Sequence, residues 1–299
     1  MGHSTLIALL GILSLSPPIR LDKAINSAGD IGFTRQHIFV SDGNSNCLYQ
    51  LDHTGVLMSS YCQRGQGPEE FQKLRYLAIT ESEVGVADFG KRSLILFSHD
   101  LVPRQEIRVG MPCSDLVLMP DDLFVLGFDP KTKKMIHRFS RSGKKLVSFG
   151  DPLKPMDEMF GMQSGFLAVQ DRKIYFVHAF RFRIDVFDLH GKQVDTITHP
   201  GFPGTLLDDV FRKGELNWWN DMYQVITGFA VSPSGDLLVS YRNFRENRFL
   251  LYHREQTKTP WKVQSDVGPV VLGPNGELLQ KRSSKDGSDV IELKRIDLK

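Results

Sequence analysis

Short apolar runs separated by polar turns recur along the whole chain. The stretch that begins at His37, HIFVSDGNSNCLYQLDHTG, contains an apolar run, a polar loop, a second apolar run and a tight turn. The same arrangement starts again at Glu83, Asp122, Lys173, Asp236 and Glu277. Short runs rich in β-branched and aromatic side chains predict strands, and the turns between them predict hairpins. The pattern therefore predicts six copies of one β-unit.

The units repeat at a nearly regular interval. Equivalent positions in successive units are Val40, Val86, Leu126, Val177, Val239 and Gln280. These positions are 46, 40, 51, 62 and 41 residues apart. Each unit divides into four strands, which in the fifth unit are GFAVS, LLVSY, RFLLYH and WKVQ. A period of about 40 to 50 residues with several short strands per unit is typical of β-propeller blades. The sequence thus predicts an all-β fold, a six-bladed β-propeller, as a single domain over residues 19–299.

The two ends of the chain are expected to meet in one blade. The sixth unit has only three strands of its own, GPVVLG, ELLQKRS and VIELKRIDL. The segment IRLDKAIN, residues 19–26, has the composition of the missing fourth strand. Pairing it with the sixth unit closes the ring and removes exposed strand edges.

The segment QRGQGPEEF, residues 63–71, connects the outer strand of unit 1 to the inner strand of unit 2. It lacks the third glycine or the G-K-[ST] that a nucleotide-phosphate loop requires. Gly65 and Gly67 permit a tight backbone, Pro68 stiffens it, and Phe71 is expected to pack between blades. The segment resembles the blade-connecting G-x-G-x-x-x-F of NHL-repeat propellers. With G-x-G-P and an acid before the aromatic, it is similar to the six-bladed NHL- or TolB-like propellers of exported bacterial proteins. This resemblance implies the fold but leaves the function open.

The N-terminus predicts an exported protein. The apolar run from Leu6 to Leu15 has the length of a signal-peptide core and is too short to span a bilayer, so residues 1–18 are expected to be a leader. The residues before this run lack Lys and Arg, which leaves a mis-assigned start or a disordered tail as alternatives. No other stretch could cross a membrane.

The net charge is +2, with 37 basic and 35 acidic residues, so nothing global points to nucleic acid. We expect a periplasmic or secreted monomer.

The sequence offers little support for catalysis. Some six-bladed propellers are metal-dependent hydrolases or lyases whose ligands converge on the axis from several inner strands. The inner strands here are predominantly apolar, and His178 has no counterpart in another blade. We therefore assign no catalytic residue, metal ligand or cofactor. A metal-dependent hydrolase or lyase with its site at the propeller axis remains the alternative function.

The charges of the loops predict a binding face. With the strands named A to D from axis to rim, the B–C loops and D–A connections open on one face, and the A–B and C–D turns open on the other. The B–C loops are rich in cations: Lys91, Arg92, Lys131, Lys133, Lys134, Arg181, Arg183, Arg242, Arg245, Arg248, Lys281, Arg282 and Lys285. The A–B turns are rich in acids: Glu81, Glu83, Asp121, Asp122, Asp171, Asp236 and Glu277. A cluster of like charge attracts an opposite partner. The alternative is a chance bias among charges that solvate strand ends.

Residues 200–225 interrupt the repeat between units 4 and 5. TLLDDVFRKG and ELNWWNDMYQV predict two short helices separated by Gly214, on the basic face. Aromatic rings beside arginines suit sugars, acidic glycans or peptides. The rings could instead only seal the insertion onto the blades. The predicted ligand-binding residues are Arg64, Arg181, Arg183, Arg242, Arg245, Trp218, Trp219 and Tyr223, and the predicted partner is a protein or an anionic or carbohydrate ligand.

The three cysteines are Cys47, Cys62 and Cys113. Cys47 and Cys62 lie on the two strands of one hairpin. A two-residue turn at Thr54 and Gly55 would place them opposite each other, whereas the commoner D-x-x-G turn pairs Asp52 with Val56 and turns the cysteines to opposite faces. We favour the second register, which predicts three free thiols.

Overall fold

The structure, a computed structural model, consists of six four-stranded antiparallel sheets. It describes residues 19–25, 27–152, 164–179, 182–198, 224–232, 235–243, 246–252, 261–265, 270–272, 278–283 and 291–295. These residues form strands and turns, and no helix occurs among them. Within the same ranges, nothing has the length and apolar character of a helix that crosses a bilayer. The sheets confirm the predicted all-β fold and its four strands per unit.

Each of the first five blades is built from four consecutive strands. Blade 1 comprises β2 (Ala28–Phe33), β3 (Ile38–Asp42), β4 (Cys47–Leu51) and β5 (Leu57–Tyr61). Blade 2 comprises β6 (Leu74–Ile79), β7 (Val84–Asp88), β8 (Ser93–Phe97) and β9 (Pro103–Arg108). Blade 3 comprises β10 (Asp115–Leu118), β11 (Asp122–Asp129), β12 (Lys134–Ser140) and β13 (Lys145–Phe149). Blades 4 and 5 comprise β14 (Gly165–Gln170), β15 (Lys173–His178), β16 (Arg183–Asp188) and β17 (Gln193–Thr198); and β18 (Gln224–Val231), β19 (Leu237–Asn243), β20 (Glu246–Tyr252) and β21 (Trp261–Ser265).

Blade 6 joins the two ends of the chain, as the sequence predicts. Its strand order is β22 (Val270–Leu272), β23 (Leu278–Ser283), β24 (Ile291–Arg295) and β1 (Ile19–Arg20). In the β1–β24 pair, Ile19 lies opposite Leu293. Leu21 and Ile25, just after β1, are buried in one cluster with Leu279 and Leu293. The N-terminal segment therefore adds both a strand and core side chains to the last blade.

The six inner strands form a closed ring. Each of β2, β6, β10, β14, β18 and β22 contacts the inner strand of the next blade, and β22 contacts β2. The middle strands of blades 1 and 2 are buried at every residue, whereas outer strand β5 alternates between partly buried and exposed positions. This gradient follows from the architecture, because the middle strands are covered on both faces by neighbouring blades.

Aromatic side chains fill the space between blades 1 and 2. Phe71 is fully buried, with its ring centroid 5.7 Å from that of Tyr61 and 6.0 Å from that of Phe97. Phe39 and Leu48 of blade 1 belong to the same cluster. The predicted packing of Phe71 between blades is confirmed.

The prediction of three free thiols is wrong, because Cys47 and Cys62 form a disulfide with a Cα–Cα distance of 4.3 Å. The predicted turn is correct, since Asp52 N donates to Val56 O at 3.0 Å. The error lies in the strand that follows. Leu51 faces Leu57 but Gln50 faces Ser59, so one extra residue forms a β-bulge and brings the cysteines opposite each other. Cys113 is free and buried.

Several predicted loop boundaries differ from the structure. Lys134 lies in β12, and Lys281 and Arg282 lie in β23. Strand β19 extends to Asn243 and β20 begins at Glu246, so Arg242 and Arg248 lie in strands rather than in the loop. An arginine at a strand end keeps the extended backbone while its long side chain can reach water, so charge alone does not mark the loop. At the end of the predicted insertion, Gln224 and Val225 already belong to β18. The two predicted helices and their residues 200–223 lie outside the described residues.

Candidate functional site

The B–C loops and D–A connections share what we call the top face, and the A–B and C–D turns share the bottom face. This follows from the antiparallel order of the strands in every blade. Of the predicted ligand residues, Arg181, Arg245, Trp218, Trp219 and Tyr223 lie outside the described part of the chain. Arg64 is exposed in the connection from blade 1 to blade 2. Arg183 is placed at the top end of β16, where its Nε donates to Asp185 Oδ1 at 2.8 Å. Arg242 is opposite Val225 and Asn247 within blade 5.

The top of blade 2 carries a group of exposed cations that the predicted set omitted. Lys73 and Arg75 lie at the start of inner strand β6, and both are exposed. Lys73 Nζ is 5.4 Å and Arg75 Cζ is 5.5 Å from the ring centroid of Phe89, which lies in the B–C loop. Arg92 in that loop and Arg108 at the end of β9 are also exposed. The i, i+2 spacing of Lys73 and Arg75 was the available signal, but the inner strand was read as apolar.

The two acidic side chains at the top of the same blade, Asp88 and Glu106, are bonded within the protein. Asp88 is fully buried, and its carboxylate accepts hydrogen bonds from Gln72 N at 2.6 Å and Lys73 N at 3.1 Å. It also accepts one from Lys91 N at 2.9 Å. The carboxylate of Asp88 thus holds the segment that carries Lys73, and hydrogen bonds from backbone amides stabilise its negative charge. No ion pair among the described residues involves Lys73, Arg75, Arg92 or Arg108.

Lys91 and Glu106 form a partly buried ion pair in the same blade, with Nζ 2.9 Å from Oε1. Lys91 Nζ also donates to Gly67 O at 2.8 Å and Glu70 O at 3.0 Å, so its three protons are used. Burial alone would raise the pKa of Glu106, but hydrogen bonds from Lys91 and from Glu69 N lower it below the usual range. Although Lys91 belongs to a predicted basic loop, it therefore holds the fold together.

The segment QRGQGPEEF forms a compact loop locked by its own carboxylate. Glu70 Oε2 accepts a hydrogen bond from Gly67 N at 2.7 Å, and Gly65 N donates to Phe71 O at 3.0 Å. A Cβ atom at Gly65 would collide with the Glu70 carboxylate, so the glycine permits this close approach. The loop is a structural connector, and it presents Arg64, Gln66 and Pro68 to solvent.

A polar groove of about 420 Å³ opens beside this loop on the top of blade 2. The groove is lined by Gln66, Gly67, Pro68, Gln72, Lys91, Glu106 and Arg108. Its volume lies within the range of about 300–1,000 Å³ that is typical of small-molecule sites. Because Lys91 and Glu106 neutralise each other, the exposed Arg108 supplies the charge of the groove. The groove can therefore take a ligand with an anionic group and several hydrogen-bonding groups.

Two carboxylates at the axis were missed when the inner strands were judged apolar. Asp30 Oδ2 accepts a hydrogen bond from Leu77 N of the next blade at 2.9 Å, and Asp115 Oδ2 accepts one from Leu167 N at 2.6 Å. Each carboxylate thereby joins two inner strands. Desolvation by the surrounding protein raises the pKa of Asp115 to about 8, and the nearby charge of Asp30 acts in the same direction. An acidic residue within an otherwise apolar inner strand was the available signal.

Several other ionisable groups of the described blades have structural partners. On the bottom side, Arg141 pairs with Glu83, and Arg138 pairs with Asp122 at 2.6 Å while donating to Leu189 O of blade 4. His178 Nε2 lies 3.3 Å from Asp151 O. Within the described ranges, no three His, Cys, Asp or Glu side chains are grouped so that they could hold a metal ion.

Comparison with known proteins agrees with this architecture. Residues 22–253 match the model of a family described as a 6-bladed beta-propeller. The chain is similar to a protein of Bacteroides fragilis described as exported, at 12% identity and a TM-score of 0.69, over 95% of each chain. It is also similar to virginiamycin B lyase of Staphylococcus aureus, at 12% identity and a TM-score of 0.57, over 95% of this chain and 89% of the lyase.

A third structure, hydrazine synthase of Kuenenia stuttgartiensis, has 12% identity and a TM-score of 0.56, over 85% of this chain and 73% of that one. The search of curated proteins found no match. At these identities the similarities establish the fold alone, because one fold supports many activities.

Proposed function

Since the chain belongs to the family of 6-bladed beta-propellers that its residues 22–253 match, we propose that it is a non-enzymatic binding propeller whose top face takes an anionic ligand or an acidic protein surface. The observation that carries this proposal is the separation of charges on blade 2. The acids at the top of this blade, Asp88 and Glu106, are bonded to backbone amides and to Lys91, whereas Lys73, Arg75, Arg92 and Arg108 are exposed. Such an arrangement gives the surface a positive field and hastens encounter with an anion.

Several cations are needed because each one contributes little. An exposed ion pair is worth roughly 0.2–1 kcal/mol, whereas micromolar binding requires about −8 kcal/mol. Four exposed cations and a groove with hydrogen-bonding side chains could together reach that range. We extend the proposed face to the insertion at residues 200–225, with Trp218, Trp219 and Tyr223 beside Arg181, Arg183, Arg242 and Arg245. Arg183 is the weakest member of this set, because Asp185 already offsets its charge.

We further propose a single propeller domain over residues 19–299 that acts as a monomer outside the cytoplasm, after a leader at residues 1–18. Two observations support an extracytoplasmic location. The Cys47–Cys62 disulfide is of a kind that persists in oxidising compartments. The similar protein of Bacteroides fragilis is described as exported.

Binding to immobilised polyglutamate and dextran sulfate, measured at low and physiological ionic strength, tests the proposal. One variant carries Lys73→Ala, Arg75→Ala and Arg92→Ala, and a second carries Arg181→Ala, Arg242→Ala and Arg245→Ala. The matched control removes three cations from the bottom face through Lys144→Ala, Arg172→Ala and Lys192→Ala. We expect either top-face variant to weaken binding at least tenfold and to flatten its salt dependence, and the control to bind like the wild type.

Equal losses in the top-face and bottom-face variants would mean that binding reflects overall charge, and would contradict the proposal. The alternative function, a metal-dependent hydrolase or lyase with its site at the axis, has its own test. Elemental analysis of the purified protein that found one bound metal ion per chain would favour that alternative.

A further inference from the structure

The groove on blade 2 has a specific hydrogen-bonding character. The groove is lined by the loop residues Gln66, Gly67 and Pro68, by Gln72, which follows this loop, and by Arg108 of β9. Lys91 and Glu106 lie among the lining residues, bonded to each other and to the loop. Lys91 and Glu106 hold the loop in place and together contribute no net charge. The side-chain groups that remain available to a ligand are therefore the carboxamides of Gln66 and Gln72 and the guanidinium of Arg108.

These groups match a hydroxyl-rich acid better than a peptide. A carboxamide can donate and accept at the same time, as a sugar hydroxyl does. A guanidinium presents a fork that fits a carboxylate through two parallel hydrogen bonds. Peptide sites usually add an apolar pocket or pairing along a strand edge, whereas Pro68 is the one apolar side chain among the residues that line this groove.

The cations next to the groove extend the match beyond one sugar unit. Gln72 lines the groove, and Lys73 and Arg75 follow it along the chain toward the inner strand. Both cations lie over Phe89, which fixes their direction while leaving them exposed. Positive charge thus continues from Arg108 near the rim to Arg75 near the axis. A site for a single phosphate needs several donors that point at one place. The cations Arg108, Lys73 and Arg75 are instead spread from rim to axis, which suits an oligomer with repeated carboxylates.

We propose that the groove of Gln66, Gln72 and Arg108 binds an acidic oligosaccharide that carries uronate units, with neighbouring uronates on Lys73 and Arg75. This inference rests on the proposed function, because it names the ligand class for one part of the top face. The carboxylate of one unit pairs with Arg108, and the hydroxyls of its ring bond to the two carboxamides.

Calorimetry with tetragalacturonate tests the inference. The carboxyl-reduced, neutral tetrasaccharide and a heptaglutamate peptide are the comparison probes. The variants are Gln72→Ala with Arg108→Ala, the conservative Arg108→Lys, and Lys144→Ala on the bottom face as a control. We expect tetragalacturonate to bind, the neutral probe to bind at least tenfold more weakly, and the double variant to lose at least tenfold in affinity. Arg108→Lys should retain part of the affinity, and the control all of it.

Other outcomes separate this inference from the proposed function. If heptaglutamate binds to the top face and tetragalacturonate does not, the ligand class is wrong while the proposed anionic face stands. If the double variant binds tetragalacturonate like the wild type, the groove is not the site. If no probe binds to the folded wild type, the inference is overturned, and the polyanion measurements with the two triple variants decide the proposed function separately.

Discussion

At the scale of single residues, carboxylates decide how blades are joined and which charges remain outside. Asp88 and Glu106 bond to amides and to Lys91, and this leaves the exposed cations Lys73, Arg75, Arg92 and Arg108 without an acidic partner among the described residues. Asp115 performs a related task at the axis, where it accepts hydrogen bonds from Leu116 N and Leu167 N. It does so in a poorly solvated position, which disfavours the charged form.

Asp115 should make stability depend on pH. Its folded-state pKa is about 8, above the ordinary value of 3.8. A raised pKa means that the stabilising contribution is complete below about pH 4 and is lost as the pH rises through 8. Asp115→Asn has no carboxylate to ionise. Because one pKa unit corresponds to about 1.36 kcal/mol, we expect the stability of this variant to fall by a few kcal/mol less than that of the wild type between about pH 5 and 9. Thermal melts across this range measure the difference.

The exposed Asp121 provides the control for that experiment. Asp121→Asn removes the same charge from a bottom-face turn and should leave the pH profile of the wild type unchanged. Parallel melting curves for the wild type and Asp115→Asn at all pH values would show that Asp115 does not ionise in this range.

At the scale of elements, the outer hairpin of blade 1 combines a tight turn, a bulge and a disulfide. The hairpin leads directly into the loop that forms one wall of the groove. Phe71 at the end of that loop is buried between the blades, and Lys91 ties the loop to blade 2. The Cys47–Cys62 bond closes a loop with a sequence separation of 15 residues. Such a cross-link restricts the unfolded chain.

Thiol counting and chemical denaturation test the disulfide. The denatured, unreduced protein should label at one thiol, Cys113, and at three after reduction. Because a cross-link that closes about 15 residues contributes roughly 3 kcal/mol, the double change Cys47→Ser and Cys62→Ser should lower the free energy of unfolding by about that amount. Cys113→Ser, alone, removes no cross-link and serves as the comparison for the labelling count. Three reactive thiols before reduction would show that the bond does not form.

At the scale of the whole molecule, stability depends on the closure of the ring by the N-terminal segment. Strand β1 pairs with β24, and Asp22 N donates to Gly55 O of blade 1 at 3.0 Å. Gly55 has a φ of +92°, and a Cβ there would collide with the backbone carbonyl of Arg20. The segment thus lies against the first blade while it completes the last one. A local opening at this point would expose strand edges on both.

Leu21→Ala should therefore destabilise the whole propeller. Leu21 is 2% exposed and packs in one cluster with residues from both ends of the chain. Truncating a buried leucine costs about 2–5 kcal/mol through lost transfer energy and the cavity left behind. Urea denaturation followed by tryptophan fluorescence measures the change. Val194→Ala, at a rim position that is 49% exposed, should cost about 0.5 kcal/mol or less. Similar costs for the two variants would argue against a closing role for the N-terminal segment.

The pattern of apolar and polar residues predicted more of the fold than of the candidate site. The repeat of apolar runs predicted six blades, and the missing strand of blade 6 predicted the pairing of residues near both termini. The same reasoning missed the contributions of Asp30, Lys73 and Arg75, because a mostly apolar strand conceals single polar positions. The cation group on blade 2 combines residues from a connection, an inner strand and a loop, and no local pattern links them.

The sequence by itself determined the blades, because alternation of apolar and polar residues along each strand decides which face can be buried. It also determined the D-x-x-G turn at Asp52 and the position of Phe71. Only the tertiary structure decided the bulge that pairs Cys47 with Cys62, because one extra residue reverses the side-chain direction of a strand. Only the tertiary structure decided which charges remain exposed, because the acids that neutralise Lys91 or bind the backbone near Lys73 come from other strands of the blade, 15 or 16 residues away along the chain. Charge counts along the chain report residue type, whereas the field at a surface depends on which partners folding brings together.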